Sequence, residues 1–324
     1  MKIPSGPSFY SRRHFLRQLL GTGVITAAGL DLLLGQGTSA PPASPAFRFA
    51  FLTDLHLLKD GDLRSAEGIA ACVAAVEKLD PRPDFILVGG DLVNLARDLT
   101  VAEAERRFDF FLKIWKDHTA LPAHWTFGNH DLVGTSNTTV SPTEKFYGKS
   151  LFQDRFQLPR LFYSFNHKGW HFVVLDDIAP QPDRTYVGKL FDDELLFLKT
   201  DLETHRNVPT IICTHIPVMS LLPTGLLLAH GSEPQYHLPK NLVCTNADEL
   251  FQALPRHNVR AILSGHLHRF EKVVVNGVPI INSGAVCGNY WKGPMLDCPE
   301  GFGVVDLGTN GSFAFDYRTY GWKA

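Results

Sequence analysis

Apolar residues follow two rhythms along this chain, and the change from one to the other predicts the fold. Residues 47–52, 85–88, 211–213 and 259–263 are mostly continuous apolar runs of strand length, the kind buried on both faces of a sheet. Residues 65–79 carry Ile69, Val73, Val76 and Leu79 at helical spacing, and 100–115 read as a second helix. Thr100 is its expected N-cap, with Glu103 three residues on to complete a capping box. A third helix is expected at 192–202. Strand and helix in alternation argue for βαβ units.

The middle of the chain is less regular. Residues 161–165 and 170–175 predict two strands joined by a turn at 166–169. Residues 217–242 are rich in proline and glycine and too long for an ordinary connection, so they are expected to form a lid or a small insertion. Beyond residue 268 the pattern becomes hairpins: 272–275 and 278–281 flank Asn276-Gly277, and 302–305 and 312–316 flank a turn at 308–311. A βα half followed by a β-rich half predicts an α/β chain with two packed sheets and helices outside.

The polar residues matter most where these runs stop. Asp54-Leu55-His56, Gly90-Asp91, Thr214-His215 and Gly265-His266-Leu267-His268 each follow an apolar run, and Gly128-Asn129-His130-Asp131 follows the weaker run 125–127. Ligands of open α/β sheets bind beyond the carboxyl ends of the strands. The five segments can therefore meet at one rim. Asp54 and His56, like His266 and His268, lie two apart, so an extended backbone would point each pair to one side. Carboxylate, amide and imidazole suit hard or borderline divalent cations, and the residues are too many for one ion. His130 can donate a proton to a leaving group, with Asp131 expected to orient its ring through the other nitrogen. Any one of these segments alone would be an unremarkable turn or helix cap. Together they predict two metals.

The ordered series Asp54-x-His56, Gly90-Asp91, Gly128-Asn129-His130-Asp131, His215 and Gly265-His266-x-His268 resembles the calcineurin-like metallophosphoesterase superfamily. That resemblance implies a four-layer αββα sandwich of two mixed β-sheets flanked by helices. It implies one metal held by Asp54, His56, Asp91 and His268. A second would be held by Asp91, Asn129, His215 and His266, with Asp91 shared. His130 would match the catalytic histidine. Two divalent ions (Mn, Fe or Zn) would lower the pKa of a bridging water, and the hydroxide would attack phosphorus. Purple members carry tyrosine three residues after the bridging aspartate. This chain has Asn94, so a ferric–tyrosinate centre is not expected.

Asn289-Tyr290-Trp291, shortly after the last ligand, is expected to touch substrate, its aromatic pair stacking a base or packing on an apolar leaving group. The substrate expected is a small phosphoester, with a lean to phosphodiesters or nucleotides. A catalytically silent metal-binding scaffold of the same fold is the alternative, which the intact ligand set argues against. No Gly-x-Ser-x-Gly elbow supports an ordinary esterase.

Charge and composition refine this picture. The 324 residues carry a formal charge of −2 and no basic stripe, so nucleic-acid binding is not evident. Residues 1–40 stand apart: Arg12-Arg13-His14-Phe15-Leu16 precedes an apolar, glycine-dotted stretch ending in Thr38-Ser39-Ala40. This reads as a twin-arginine-type export signal, recognised by the translocation machinery and removed. A periplasmic or extracellular location follows, with no stable membrane span after removal. Residues 41–46 read as a proline-rich linker to a domain at 47–324. Of five cysteines, Cys287 and Cys298 could pair across one loop.

Overall fold

The first strand, β1 (Phe47–Leu52), is buried along its whole length and sends its side chains two ways. Phe47, Phe49 and Phe51 join one apolar cluster, Ala50 and Leu52 another. In β2 (Ile86–Val88), Leu87 joins the phenylalanines while Ile86 and Val88 face the other way. Strands with two apolar faces need a layer on each side. The computed structural model describes residues 45–223, 238–254 and 257–324. The expected signal, most of the linker and 224–237 of the expected lid lie outside the described residues.

Two large sheets supply those layers. The first has β1, β2 and β3 (Ala123–Trp125) in parallel, extended by the antiparallel β12 (Gly301–Leu307) and β13 (Phe313–Thr319). The second has a parallel centre of β5 (Trp170–Val174), β8 (Thr210–Cys213), β9 (Val259–Ser264) and β11 (Val278–Asn282). Antiparallel β4 (Tyr163–His167) and β10 (Glu271–Val275) close its edges. Between the sheets Phe49 stacks on Phe85 at 5.1 Å and meets Phe172 edge-on at 5.6 Å. Each buried phenylalanine contributes roughly 1.5–3 kcal/mol.

Helices cover the outer faces. Against the first sheet lie α1 (Ser65–Glu77), α2 (Val101–His118) and α3 (Ser150–Phe156), through residues such as Val73, Phe108 and Phe152. Against the second lie α4 (Asp192–Thr204) and α5 (Ala247–Ala253), through Leu198 and Leu250. This is the expected mixed α/β sandwich. The Thr100–Glu103 capping box starts α2, with Thr100 N–H donating to Glu103 Oε2 at 2.9 Å. Asn276 and Gly277, both at positive φ, make the expected hairpin turn.

Three details differ from the sequence reading. The β4–β5 turn is two residues, Lys168 and Gly169 at φ 43° and 83°, so both strands run further into it. The short helices α3 and α5 and a small antiparallel pair, β6 (Ile178–Pro180) with β7 (Tyr186–Gly188), have too few residues to show a period. All five cysteines are free and buried, so Cys287 and Cys298 do not pair.

Candidate metal centre

Every expected ligand lies just past a strand. Asp54 and His56 follow β1, Asp91 follows β2, Asn129 opens a single 3₁₀ turn after β3, His215 follows β8, and His266 and His268 follow β9. Asp54, His56, Asp91, Asn129, His215 and His268 are buried, and His266 is half-buried. They converge, but not by the extended geometry that their spacing suggested. Asp54, His56, Asp91, His266 and His268 all sit at left-handed φ, between 43° and 73°. The chain turns sharply at each rim position, and the two-residue alternation of a strand no longer governs direction. Gly90, at φ 96°, is required for this: a Cβ there would lie 2.6 Å from His215 Nδ1.

The distances define two overlapping groups. His268 Nε2 is 3.3 Å from Asp54 Oδ1 and 3.0 Å from His56 Nε2, and His56 Nε2 is 3.5 Å from Asp91 Oδ2. On the other side, His215 Nε2 is 3.3 Å from the same Asp91 oxygen and 3.0 Å from Asn129 Oδ1. His266 joins Asp91 and His215 with ligand atoms within 4.8 Å of one another. Asp91 Oδ2 is thus common to both.

The outward ring nitrogens show what the inward ones can do. His215 Nδ1 is 2.8 Å from Gly89 O, His268 Nδ1 2.6 Å from Gly288 O, and His266 Nε2 2.8 Å from Asn241 O. A carbonyl only accepts, so each of those nitrogens carries the ring proton and the opposite nitrogen is a lone pair. For His215 and His268 that lone pair faces carboxylate or amide oxygen. Lone pair against lone pair in a buried place needs a cation between them. Were protons the only cations, burial would oppose charging His215, yet the Asp91 and Asp54 carboxylates would push its pKa up to about 10. Burial likewise opposes the Asp54 carboxylate, but His268 and His56 hold it well below the usual carboxylate range. The donor set fits divalent metal. His56 lacks an outer anchor, its Nδ1 being buried without a partner.

His130 stands beside this group, its ring 4.5 Å from that of His56. Burial drives its pKa down to about 3, so the ring is neutral. The expected Asp131 partner is elsewhere. Asp131 Oδ1 accepts from Leu92 N–H and Val93 N–H, and Oδ2 from Gly128 N–H, so it ties the β2 and β3 rims together. Leu95 N–H instead donates to His130 Nδ1 at 3.1 Å, and Asn94 Oδ1 lies 3.1 Å from the same nitrogen. A backbone N–H only donates, which leaves the ring proton on Nε2. Asn94 is the residue that sequence reasoning undervalued; its place three residues after Asp91 was the available signal.

The expected substrate triplet divides. The Tyr290 ring lies 4.7 Å from His56 and 4.8 Å from His268 and lines a cavity of about 610 Å³ with His130. Trp291 is buried and does not face that cavity: its indole N–H donates to His56 O at 3.0 Å, and its ring fills the space that a Cβ at Gly68 would need. Asn289 closes a turn with Gly293 rather than lining the cavity.

Residues 47–270 match the family model for calcineurin-like phosphoesterases. The chain belongs to that family. Over 283 residues this phosphoesterase is 25% identical to a probable cyclic nucleotide phosphodiesterase of Psychrobacter arcticus, covering 81% of this chain and 90% of that one. Over 215 residues it is 26% identical to the serine/threonine-protein phosphatase CPPED1 of Mus musculus, covering 66% and 62%. A dimetal phosphatase from Danio rerio superposes with a TM-score of 0.56 at 15% identity, over 86% of this chain and 97% of that one. A purple acid phosphatase from yellow lupin gives 0.54 at 15% identity, over 87% and 52%; both show the shared fold. The phosphoesterase is a hydrolase of phosphoric esters, and its clustered histidines and aspartates can bind metal.

Proposed function

We propose that this enzyme is a dinuclear metal-dependent phosphodiesterase. The observation that carries this reading is the single Asp91 oxygen set between two groups of inward lone pairs. Asp54, His56 and His268 would hold one ion, Asn129, His215 and His266 the other, and Asp91 both. When bound, such ions supply Lewis-acid charge that acidifies water and offsets phosphoryl charge. His130, neutral and with its proton on Nε2, donates that proton towards the departing oxygen. Leu95 N–H holds the ring in this tautomer. Tyr290 covers the ligand histidines and limits water on that side. The lean to diesters draws support from the relatives named as cyclic nucleotide phosphodiesterases.

The test uses the full chain loaded with Mn. Initial rates are compared on bis-p-nitrophenyl phosphate and p-nitrophenyl phosphate, with and without chelator, alongside metal content by mass spectrometry. Two ions per chain and chelator-sensitive preference for the diester are expected. Preference for the monoester moves the substrate to phosphatase chemistry. Metal binding without any turnover would leave the silent scaffold.

Export is part of the same reading. Residues 1–40 are proposed as a twin-arginine-type signal, delivering the enzyme to the periplasm or beyond. Lysine at both Arg12 and Arg13 should trap an exported reporter fusion inside the cell; unchanged export would end the proposal. Among the described residues no helix is long and apolar enough to cross a membrane.

A further inference from the structure

The cavity that His130 and Tyr290 share is walled by Leu58, Leu63, Leu95 and Leu99. Two of these leucines are in unusual states. Leu63 and Leu95 hold left-handed backbone, at φ 52° and 50°, where glycine or asparagine would be unstrained. Leu63 is also 49% exposed, so burial in the core does not explain an aliphatic residue there. Strain kept at a cavity wall beside reacting groups points to use by a ligand. The rim charges nearly balance: Lys59, Arg107 and Lys292 against Asp62 and Asp98. With the charges so nearly paired, the rim offers no strong field for a charged body, and the four leucines offer apolar surface.

We propose that this cavity receives the alcohol part of the substrate, and that the alcohol is apolar and uncharged, of aryl or medium alkyl size. The proposal rests on the phosphoesterase reading of the adjoining centre and adds the substrate class to it. In the reaction a water oxygen bonds to phosphorus and the phosphorus–oxygen bond to the alcohol breaks. The alcohol leaves with a proton, its carbon body still against the leucines. His130 is the only expected ligand or acid among the lining residues, so the cavity lies on the side from which His130 reaches the leaving oxygen.

The experiment is a series of methyl 4-alkylphenyl phosphates, from methyl to pentyl, with the Mn-loaded full chain. Alkyl length barely changes the phenol's acidity, so changes in kcat/KM report contact rather than intrinsic reactivity. An increase of about four-fold per methylene is expected until the cavity fills. Leu63→Asn suits the left-handed backbone and should fold; it is expected to flatten the increase, while Leu99→Gln gives a second, independent loss of slope. A carboxyethyl member, matched in size to the propyl one, should be worse by about ten-fold, because its carboxylate must lose water against the leucines. Adenosine 3′,5′-cyclic monophosphate is the polar comparison. A flat series with the methyl compound still hydrolysed overturns the apolar-alcohol proposal, as does preference for the carboxyethyl member or the cyclic nucleotide. Failure of every ester, including the p-nitrophenyl ones, overturns the metal-hydrolase reading instead.

Discussion

Among the described residues, histidine and aspartate gather in two clusters, and the two are unequally equipped for metal. In the second, His171 is buried with Nδ1 2.8 Å from Asn166 Oδ1 and Nε2 2.5 Å from Asp201 Oδ2. His205 stacks on it at 3.7 Å and turns Nδ1 to the Asp201 carbonyl at 2.9 Å. The cluster thus brings two rings and a single carboxylate together. At the rim centre the outer nitrogens of His215, His266 and His268 already use their protons on carbonyls, and the inner ones have only lone pairs to offer. Residue types do not distinguish the two clusters. What distinguishes them is how many donors meet: at the rim one Asp91 oxygen is shared by His56 and His215, with Asp54, Asn129, His266 and His268 around them.

Asp91→Ala should break the contrast most severely. With the shared oxygen gone, both positions should empty and turnover fall to background, read as metal content and rate together. His130→Ala should retain the metals and slow the diester about 10²–10⁴-fold; loss of metal in that variant would make His130 a ligand. Asp131→Asn distinguishes a backbone tie from a ring-orienting partner. It should lower stability by about 1–3 kcal/mol, because a buried N–H then faces an amide nitrogen. A fall in kcat with an unchanged melting temperature would restore the ring-orienting role.

A gentler comparison uses α4, the helix that carries Asp201. Burial raises the Glu194 carboxyl to about 9 on the same helix. A carboxyl raised on folding stabilises fully only below its unfolded value near 4, and that stability is lost as pH rises through about 9. Melting temperature should therefore decline over that range in the wild type and decline less in Glu194→Gln. The smallest effect is expected from His171→Gln, which should leave the metal count at two. A drop would mean the second cluster binds metal after all.

The convergence of these residues at one rim was legible because strands in such sheets present their carboxyl ends together, and apolar runs mark those ends. The route was not legible. Alternation along an extended chain would have aimed Asp54 with His56, yet both residues have turned out of the strand. Asp131 next to His130 in sequence suggested contact. Three backbone N–H groups nearer to hand captured the carboxylate first. For Trp291 the aromatic character was visible, but not the glycine on α1 that lets the ring sink in. Sheets and long helices were visible because their periods repeat; α3, α5 and the β6–β7 pair end before a period can.

The seven expected ligands hang from different layers: Asp54, His56, Asp91 and Asn129 from the first sheet, His215, His266 and His268 from the second. Any cation held among them is therefore a rivet through the sandwich as well as a reagent. Stripping it should loosen the rim before the phenylalanine-filled interior, so hydrogen exchange would quicken first at the strand ends that do the chemistry.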